Sequence, residues 1–252
     1  ILWSIMTKFS NRIKKSSSSS TIILANDYNN RIPKLEAKTI QNIKALQKKI
    51  CAIKMNCHLW WKLGKKEIQK INKTANNYGL QTIADIKLND IGNTNLVAIE
   101  NLDELGFDAV IANPIMGNQS LKNLIQNSHK MGKGVISLCH MSAPEARISY
   151  ELNVIKQKNS KKTPLYQIFL DWAQKNKSDG IIVGATYPDI IKFCKKKAGE
   201  KMQIYSPGVC TQGGNASEVK HLGADFLIVG RTILNAKNPI QIAKKLATDS
   251  IL

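Results

Sequence analysis

Eight short apolar runs, each followed by a segment of helical period, constrain the fold of this chain more than any other feature. The runs are rich in β-branched residues and fall at 21–25, 51–55, 80–86, 109–112, 134–139, 180–183, 202–205 and 226–229. Runs of this kind read as strands buried on both faces of a parallel sheet, because half-exposed strands alternate apolar with polar. Pro33 opens the first helical segment in a favourable first-turn position, and Leu35, Ile43, Leu46 and Ile50 then share one face. Similar segments follow at about 64–78, 91–105, 118–131, 164–176, 188–198, 215–222 and 238–248. Eight strand–helix units in about 230 residues, with no break in composition, predict one α/β domain: a single (β/α)8 TIM barrel over 21–252. A doubly wound open sheet is the alternative. It usually carries a Gly-rich turn after its first strand, and Ala25-Asn26-Asp27-Tyr28 stands there instead.

Residues 1–20 form a separate zone, with no acid, with Lys8, Arg12, Lys14 and Lys15, and with five consecutive serines at 16–20. Organellar transit peptides and disordered arms share that composition. A flexible N-terminal arm is the expectation, with Met6 available as the initiator. No apolar run approaches the roughly 18 residues of a membrane span. Five cysteines without a CxxC or a metal-ligand spacing suggest a reduced, cytoplasmic chain with incidental thiols.

The 37 Lys+Arg against 18 Asp+Glu give a formal charge of +19, which favours anionic partners. Only four of these positives are Arg (12, 31, 147 and 231), and the rest are spread along the chain. No basic run is interleaved with aromatics, as stacking on bases would require. A solvated Lys-rich exterior is the simpler reading, with neither a membrane nor a specific nucleic acid as partner.

In a barrel of this type chemistry sits at the C-terminal ends of the strands. Those ends read Asp27, Lys54, Asp85 with Lys87 and Asp90, Asn113, Ser142, Gln212, and Gly230-Arg231. Positions that close apolar runs are rarely so polar. In Asp85-Ile86-Lys87-Leu88-Asn89-Asp90-Ile91, residues 85 and 87 of a regular strand point to one face, about 6.6 Å apart. Lys54 on the neighbouring strand completes an alternating row, Lys54–Asp85–Lys87–Asp90. Opposite charges about 4 Å apart attract by about 4 kcal/mol at an effective dielectric near 20. Such a row equips Lys87 to act as a general acid. A purely structural ion-pair network is the competing explanation.

The second motif is Gly223-Ala224-Asp225-Phe226-Leu227-Ile228-Val229-Gly230-Arg231-Thr232-Ile233. The last strands of such barrels commonly end in a phosphate site built from backbone N–H groups. Gly230 lets the backbone approach an anion, and Arg231 can grip it with two hydrogen bonds. An Arg at this point, in a chain that uses Lys almost everywhere, supports a geometric role. The loop 206–214 before it, with Pro207, Gly208, Gln212, Gly213 and Gly214, can fold over a ligand. The four His are scattered, the four Trp read as packing, and no acidic cluster resembles a metal cage.

Taken together, these residues resemble orotidine 5′-monophosphate decarboxylase, and most closely its archaeal-like branch. Residues 85–91 followed by Thr94-Asn95 are similar to the family's DxKxxDI…T segment. Ile23-Leu24-Ala25-Asn26-Asp27 resembles its first strand, Ile53-Lys54 its second-strand lysine, and Met141-Ser142-Ala143-Pro144 its pyrimidine-contacting serine loop. Pro207-Gly208-Val209 with Gln212-Gly213-Gly214, and Val229-Gly230-Arg231-Thr232-Ile233, resemble its phosphate loops. Two departures are Tyr187-Pro188, where the family often has Arg-Pro, and Asn113, where several members have His.

The resemblance implies that Lys87 donates the proton to C6 of the pyrimidine and that Asp85 sits against the departing carboxylate. It places Lys54 and Asp27 on the ribose, Ser142 on the pyrimidine amide edge, and Gln212 between base and phosphate. Gly230 and Arg231 would bind the phosphate. Asp90 and Thr94 would reach the partner's site in a homodimer, and no metal or organic cofactor would be needed. Two competitors are a magnesium-dependent sugar-phosphate lyase or decarboxylase on the same barrel, and a non-catalytic basic barrel that binds nucleic acid. Thr94-Asn95 and the serine loop favour the pyrimidine reading over the first. The inward Asp–Lys row has no purpose in the second.

Overall fold

The computed structural model describes residues 8–29, 32–155 and 162–249. The eight apolar runs become eight parallel strands: β1 Ile22–Ala25, β2 Ala52–Asn56, β3 Gln81–Leu88, β4 Ala109–Ala112, β5 Gly134–His140, β6 Gly180–Val183, β7 Ile204–Pro207 and β8 Phe226–Val229. They pair in sequence order, and β1 closes the ring against β8 with Ile23 opposite Ile228. The fold is therefore the expected (β/α)8 barrel. Strands of this sheet are buried on both faces, inward by the barrel core and outward by the helices, so they read as apolar runs.

The helices carry the 3.6-residue stripe that packs against the strands. The longer ones are α1 Phe9–Ser16, α2 Leu35–Leu46, α3 Lys65–Asn77, α4 Gly92–Glu104, α5 Asn118–Lys130, α6 Leu165–Lys175, α7 Pro188–Ala198, α8 Ala216–His221 and α9 Pro239–Asp249. Helices α2 to α9 each follow one strand. Among the described residues no helix is long and apolar enough to cross a membrane.

The flexible arm expected over residues 1–20 needs correction from Lys8 onward; residues 1–7 lie outside the described ones. Helix α1 closes the N-terminal end of the barrel, with Phe9 and Ile13 each at most 1% exposed. The Phe9 ring fills the space over Gly134 at the start of β5, where a Cβ would lie 2.4 Å from the ring. Arg12 donates to Gln81 Oε1 at 3.1 Å and to the Gly132 carbonyl at 3.0 Å, and its guanidinium pairs with Asp108 at 3.4 Å. Phe9 and Ile13 stand four apart, on one face of a helix. That apolar spacing outweighs the Ser-rich, basic composition that suggested disorder.

A second feature not foreseen lies between β5 and α6. This connection carries a single helical turn, Ala146–Tyr150, and a two-residue antiparallel ribbon, Asn153–Val154 with Thr163–Pro164.

Candidate active site

The C-terminal ends of the strands enclose a cavity of ≈ 370 Å³. Ten of the residues singled out in the sequence line it: Asp27, Lys54, Asp85, Lys87, Ser142, Pro207, Gly208, Gln212, Gly230 and Arg231. Each comes from a strand end or the loop just after it, so the barrel gathers residues far apart in sequence.

At one side of the cavity floor the charges form a continuous row. Lys54 Nζ lies 2.6 Å from Asp85 Oδ2 and 3.2 and 3.3 Å from the two Asp27 oxygens, while Lys87 Nζ lies 2.8 Å from Asp85 Oδ1. Lys54 is 4% exposed and Asp85 7%. Burial alone would push the Asp85 carboxyl upward, but the Lys54 and Lys87 ammoniums outweigh it and hold Asp85 below the usual carboxylate range. Burial alone would likewise lower Lys54, yet Asp85 and Asp27 together raise it above an ordinary lysine.

The observed row is Asp27–Lys54–Asp85–Lys87, which corrects the expectation at one end. Asp90 does not join it within the chain. Asp90 is exposed, its Oδ1 accepts from the Ile91 N–H at 2.7 Å, and its carbonyl accepts from Asn95 Nδ2, which fixes it to the start of α4. Thr94 is also exposed on α4, and neither residue lines this chain's cavity. Gly213 stands behind the lining as well, at φ +101° in the turn that shapes loop 208–214.

Lys87 reaches Asp85 by a different route from the regular pleat. Ala84 pairs with Val110 and Leu88 with Ala112, so β3 advances four residues while β4 advances two. The extra residues form a bulge in which Lys87 adopts φ +48°. A non-glycine residue in that region costs about 1–3 kcal/mol and persists only where its surroundings enforce it. The strain sits at the one lysine of the row that is part-exposed to the cavity.

The rest of the wall includes a pair of loops. A Cβ on Gly230 would lie 3.0 Å from the Ala25 carbonyl oxygen, tighter than ordinary contact, so glycine eases the close approach of the end of β8 to β1. Gly208, at φ +92°, sits beside Ser142 and Gln212, where a Cβ would lie 2.8 and 2.6 Å from their side chains. Thr211 Oγ1 and Thr232 Oγ1 are 2.7 Å apart and tie the loop after β7 to the one after β8. Among the described residues no carboxylate pairs with the exposed Arg231, which leaves its fork open to an anion.

The family model described as orotidine 5′-phosphate decarboxylase / HUMPS matches residues 20–246. The chain belongs to that family. Within it, the orotidine 5′-phosphate decarboxylase of Pyrococcus abyssi is 34% identical over 176 residues, which cover 70% of this chain and 76% of that protein. The Methanosarcina mazei protein of the same name is 32% identical over 228 residues, 90% of this chain and 94% of that one. The solved decarboxylase from Pyrococcus horikoshii OT3 superposes with a TM-score of 0.74 at 29% identity, over 92% and 99% of the two chains. The chain also overlays 56% of Leishmania donovani UMP synthase with a TM-score of 0.85; at 20% identity that likeness shows the fold alone.

For this family member the sequence left several lining residues unnoticed. Ile111, Leu138, Ile182 and Ile228 form apolar lining near the ends of β4, β5, β6 and β8, and Asn56 and Thr211 also face the cavity. The isoleucines and Leu138 are indistinguishable in sequence from ordinary barrel core. Asn56 could have been found, being a polar residue two positions after Lys54 and therefore on the same strand face. Asn113 is not part of the cavity; its Oδ1 accepts from the Ile115 N–H at 3.1 Å and caps a short turn.

Proposed function

We propose that this chain decarboxylates orotidine 5′-monophosphate to uridine 5′-monophosphate, in de novo pyrimidine synthesis, with no metal or organic cofactor. The observation that carries the proposal is the Lys54–Asp85–Lys87 row, its Lys54 and Asp85 buried, sharing one cavity of nucleotide size with the Gly230-Arg231 loop. The names of the relatives support the same substrate.

In this reading Arg231 and the backbone at Gly230 hold the 5′-phosphate, and Gln212 lies between phosphate and base. Asp27 and Lys54 hold the ribose hydroxyls, and Ser142 meets the amide edge of the pyrimidine. The substrate carboxylate then lies against Asp85. The C6–carboxylate bond breaks, carbon dioxide leaves, and the electron pair stays on C6. The Lys87 ammonium, already fixed by Asp85, stabilises that carbanion and transfers a proton to it. Because the row is preorganised, little reorganisation is needed as charge moves from carboxylate to carbon. Phosphate binding, remote from the bond that breaks, supplies energy to order the loops and exclude water.

The reading also assigns Asp90 and Thr94 to the cavity of a second copy. Both are exposed at the start of α4, as a residue that serves a partner must be before assembly. Ile91 at 63% and Ile115 at 58% exposure give that region an apolar surface to bury in a homodimer.

An ultraviolet assay with purified protein tests the proposal. Orotidylate absorbance should fall on addition of the chain and be insensitive to a chelator. Activity on a sugar phosphate that disappears with chelator, and none on orotidylate, would establish the magnesium-dependent alternative instead.

A further inference from the structure

The segment Met141–Pro144 carries the serine that the proposed function places against the base, yet none of its residues lies in a helix or strand. Irregular backbone is held by its own turns and by neighbouring segments that pair its polar groups. Here the Ala146 and Arg147 N–H groups turn back onto the Ala143 and Pro144 carbonyls, and the contacts from outside come mainly from residues 184–187 after β6, none of which lines the cavity.

The contacts are specific. Thr186 Oγ1 donates to the Ser142 carbonyl at 3.0 Å. Tyr187 Oη lies 2.7 Å from the Ala143 carbonyl oxygen and 3.2 Å from that of Pro144, so one hydroxyl proton serves both. Gly184 packs directly beneath, where a Cβ would stand 2.5 Å from Ser142 Cα. One of these four residues also reaches the phosphate loop. Ala185 N–H donates to the Pro207 carbonyl at 2.8 Å, and a Cβ on Gly214 would lie 2.6 Å from the Ala185 Cβ.

Tyr187 is itself anchored. It is 6% exposed, and its ring stands 4.3 Å from the buried His140 ring. His140 Nδ1 is 2.8 Å from the Met141 carbonyl oxygen, so the imidazole supports the start of the same segment. Pro188 opens α7 immediately afterwards and joins the tyrosine to the scaffold. A buried tyrosine hydroxyl tethers the backbone that accepts its proton. This one spans two successive carbonyls of a site segment, from a loop that also grips the phosphate loop.

We infer that Tyr187, assisted by Thr186, is a positioning residue that acts through Ser142, holding the base-binding loop in register with the phosphate loop. The inference rests on the proposed function, since it takes Ser142 as the contact to the base. It gives a use to the Tyr187-Pro188 pair, which the chemistry of the site leaves unexplained.

The test compares uridine 5′-monophosphate with ribose 5-phosphate, which lacks the base, by titration calorimetry on the full chain. Tyr187→Phe keeps the ring against His140 and removes only the hydroxyl. It should weaken the nucleotide by about three- to tenfold and leave ribose 5-phosphate within about twofold of the parent. Thr186→Val should show the same selectivity, and it carries the test if the phenylalanine variant does not fold. In a Ser142→Ala background the loss caused by Tyr187→Phe should shrink to less than about twofold, because the residue through which it acts is gone. Unchanged nucleotide affinity, equal loss for both ligands, or a full loss in the Ser142→Ala background would each overturn the inference. A parent chain that binds ribose 5-phosphate but not the nucleotide would overturn the base-site reading itself and this inference with it.

Discussion

The Lys87 ammonium lies 2.8 Å from Asp85 Oδ1, although a regular strand pleat would separate the two Cα atoms by about 6.6 Å and offer no bend between them. The two meet within a bulge that holds Lys87 at φ +48°. Asp85 is thereby bracketed by two ammoniums, Lys54 on one oxygen and Lys87 on the other. A carboxylate so bracketed cannot rotate away without breaking both contacts, and it in turn fixes where each lysine points.

The row makes a prediction about stability and pH. Asp85→Asn leaves the buried Lys54 with Asp27 alone, and breaking a buried pair from one side costs on the order of 3–5 kcal/mol, or about 10 °C in Tm. Asp85 is held below the usual carboxylate value, so its contribution is present above about pH 4 and is lost as pH falls through the lowered value. Lys54 is raised, so its contribution is present below about pH 10 and is lost as pH rises through the raised value. Thermal unfolding of parent and variant should differ by a constant amount between about pH 5 and pH 9, with the gap closing in acid. A gap that widens on acidification would contradict the assignment.

Binding and chemistry separate at Arg231. Arg231→Ala should weaken uridine 5′-monophosphate by about ten- to a hundredfold, the range for a charge-assisted contact to phosphate, and leave uridine within about twofold. Calorimetric titration of both ligands checks this. A comparable loss for uridine would show that Arg231 does something other than grip phosphate.

The fold was legible because eight apolar runs separated by helical stripes admit few arrangements, and the strand-end residues followed from where such barrels keep their chemistry. Asp27, Lys54, Asp85 and Lys87 could be named because charge at the end of a buried strand has no packing reason to be there. The bulge at Lys87 could not, since register depends on what β4 offers opposite, and Asp-Ile-Lys also fits a regular pleat. Asp90 was placed in the row by sequence proximity, whereas its Oδ1 accepts from the Ile91 N–H and it does not line this cavity. Composition misled at residues 8–20, where two apolar residues four apart decided the outcome against a run of serines.

Helix α1 supplies a test of that correction. Phe9→Ala removes a ring that is 1% exposed and packs over Gly134, so unfolding free energy should fall by about 3–5 kcal/mol. Denaturant unfolding measures it. A change below about 0.5 kcal/mol, typical of exposed sites, would return this segment to the status of a loose arm.

The shared-site proposal predicts complementation. Lys87→Ala and Asp90→Ala homodimers should each be nearly inactive. A mixed dimer places both substitutions in one site and neither in the other, and random reassociation makes about half the dimers mixed, so roughly a quarter of parental activity should return. If subunit exchange is confirmed by mass and no activity returns, Asp90 does not serve a partner's site.

Turnover of orotidine 5′-monophosphate by Lys87→Ala tests the central claim most directly, measured beside the variant's affinity for uridine 5′-monophosphate. Asp85 keeps its contact to Lys54 in this variant, so the cavity should persist and the product should bind within about tenfold of the parent, a difference of about 1.4 kcal/mol. Decarboxylation should fall by several orders of magnitude, because the carbanion loses both its stabilising ammonium and its proton donor. Turnover within about tenfold of the parent, again about 1.4 kcal/mol of barrier, would contradict the assignment of Lys87 as the group that meets C6.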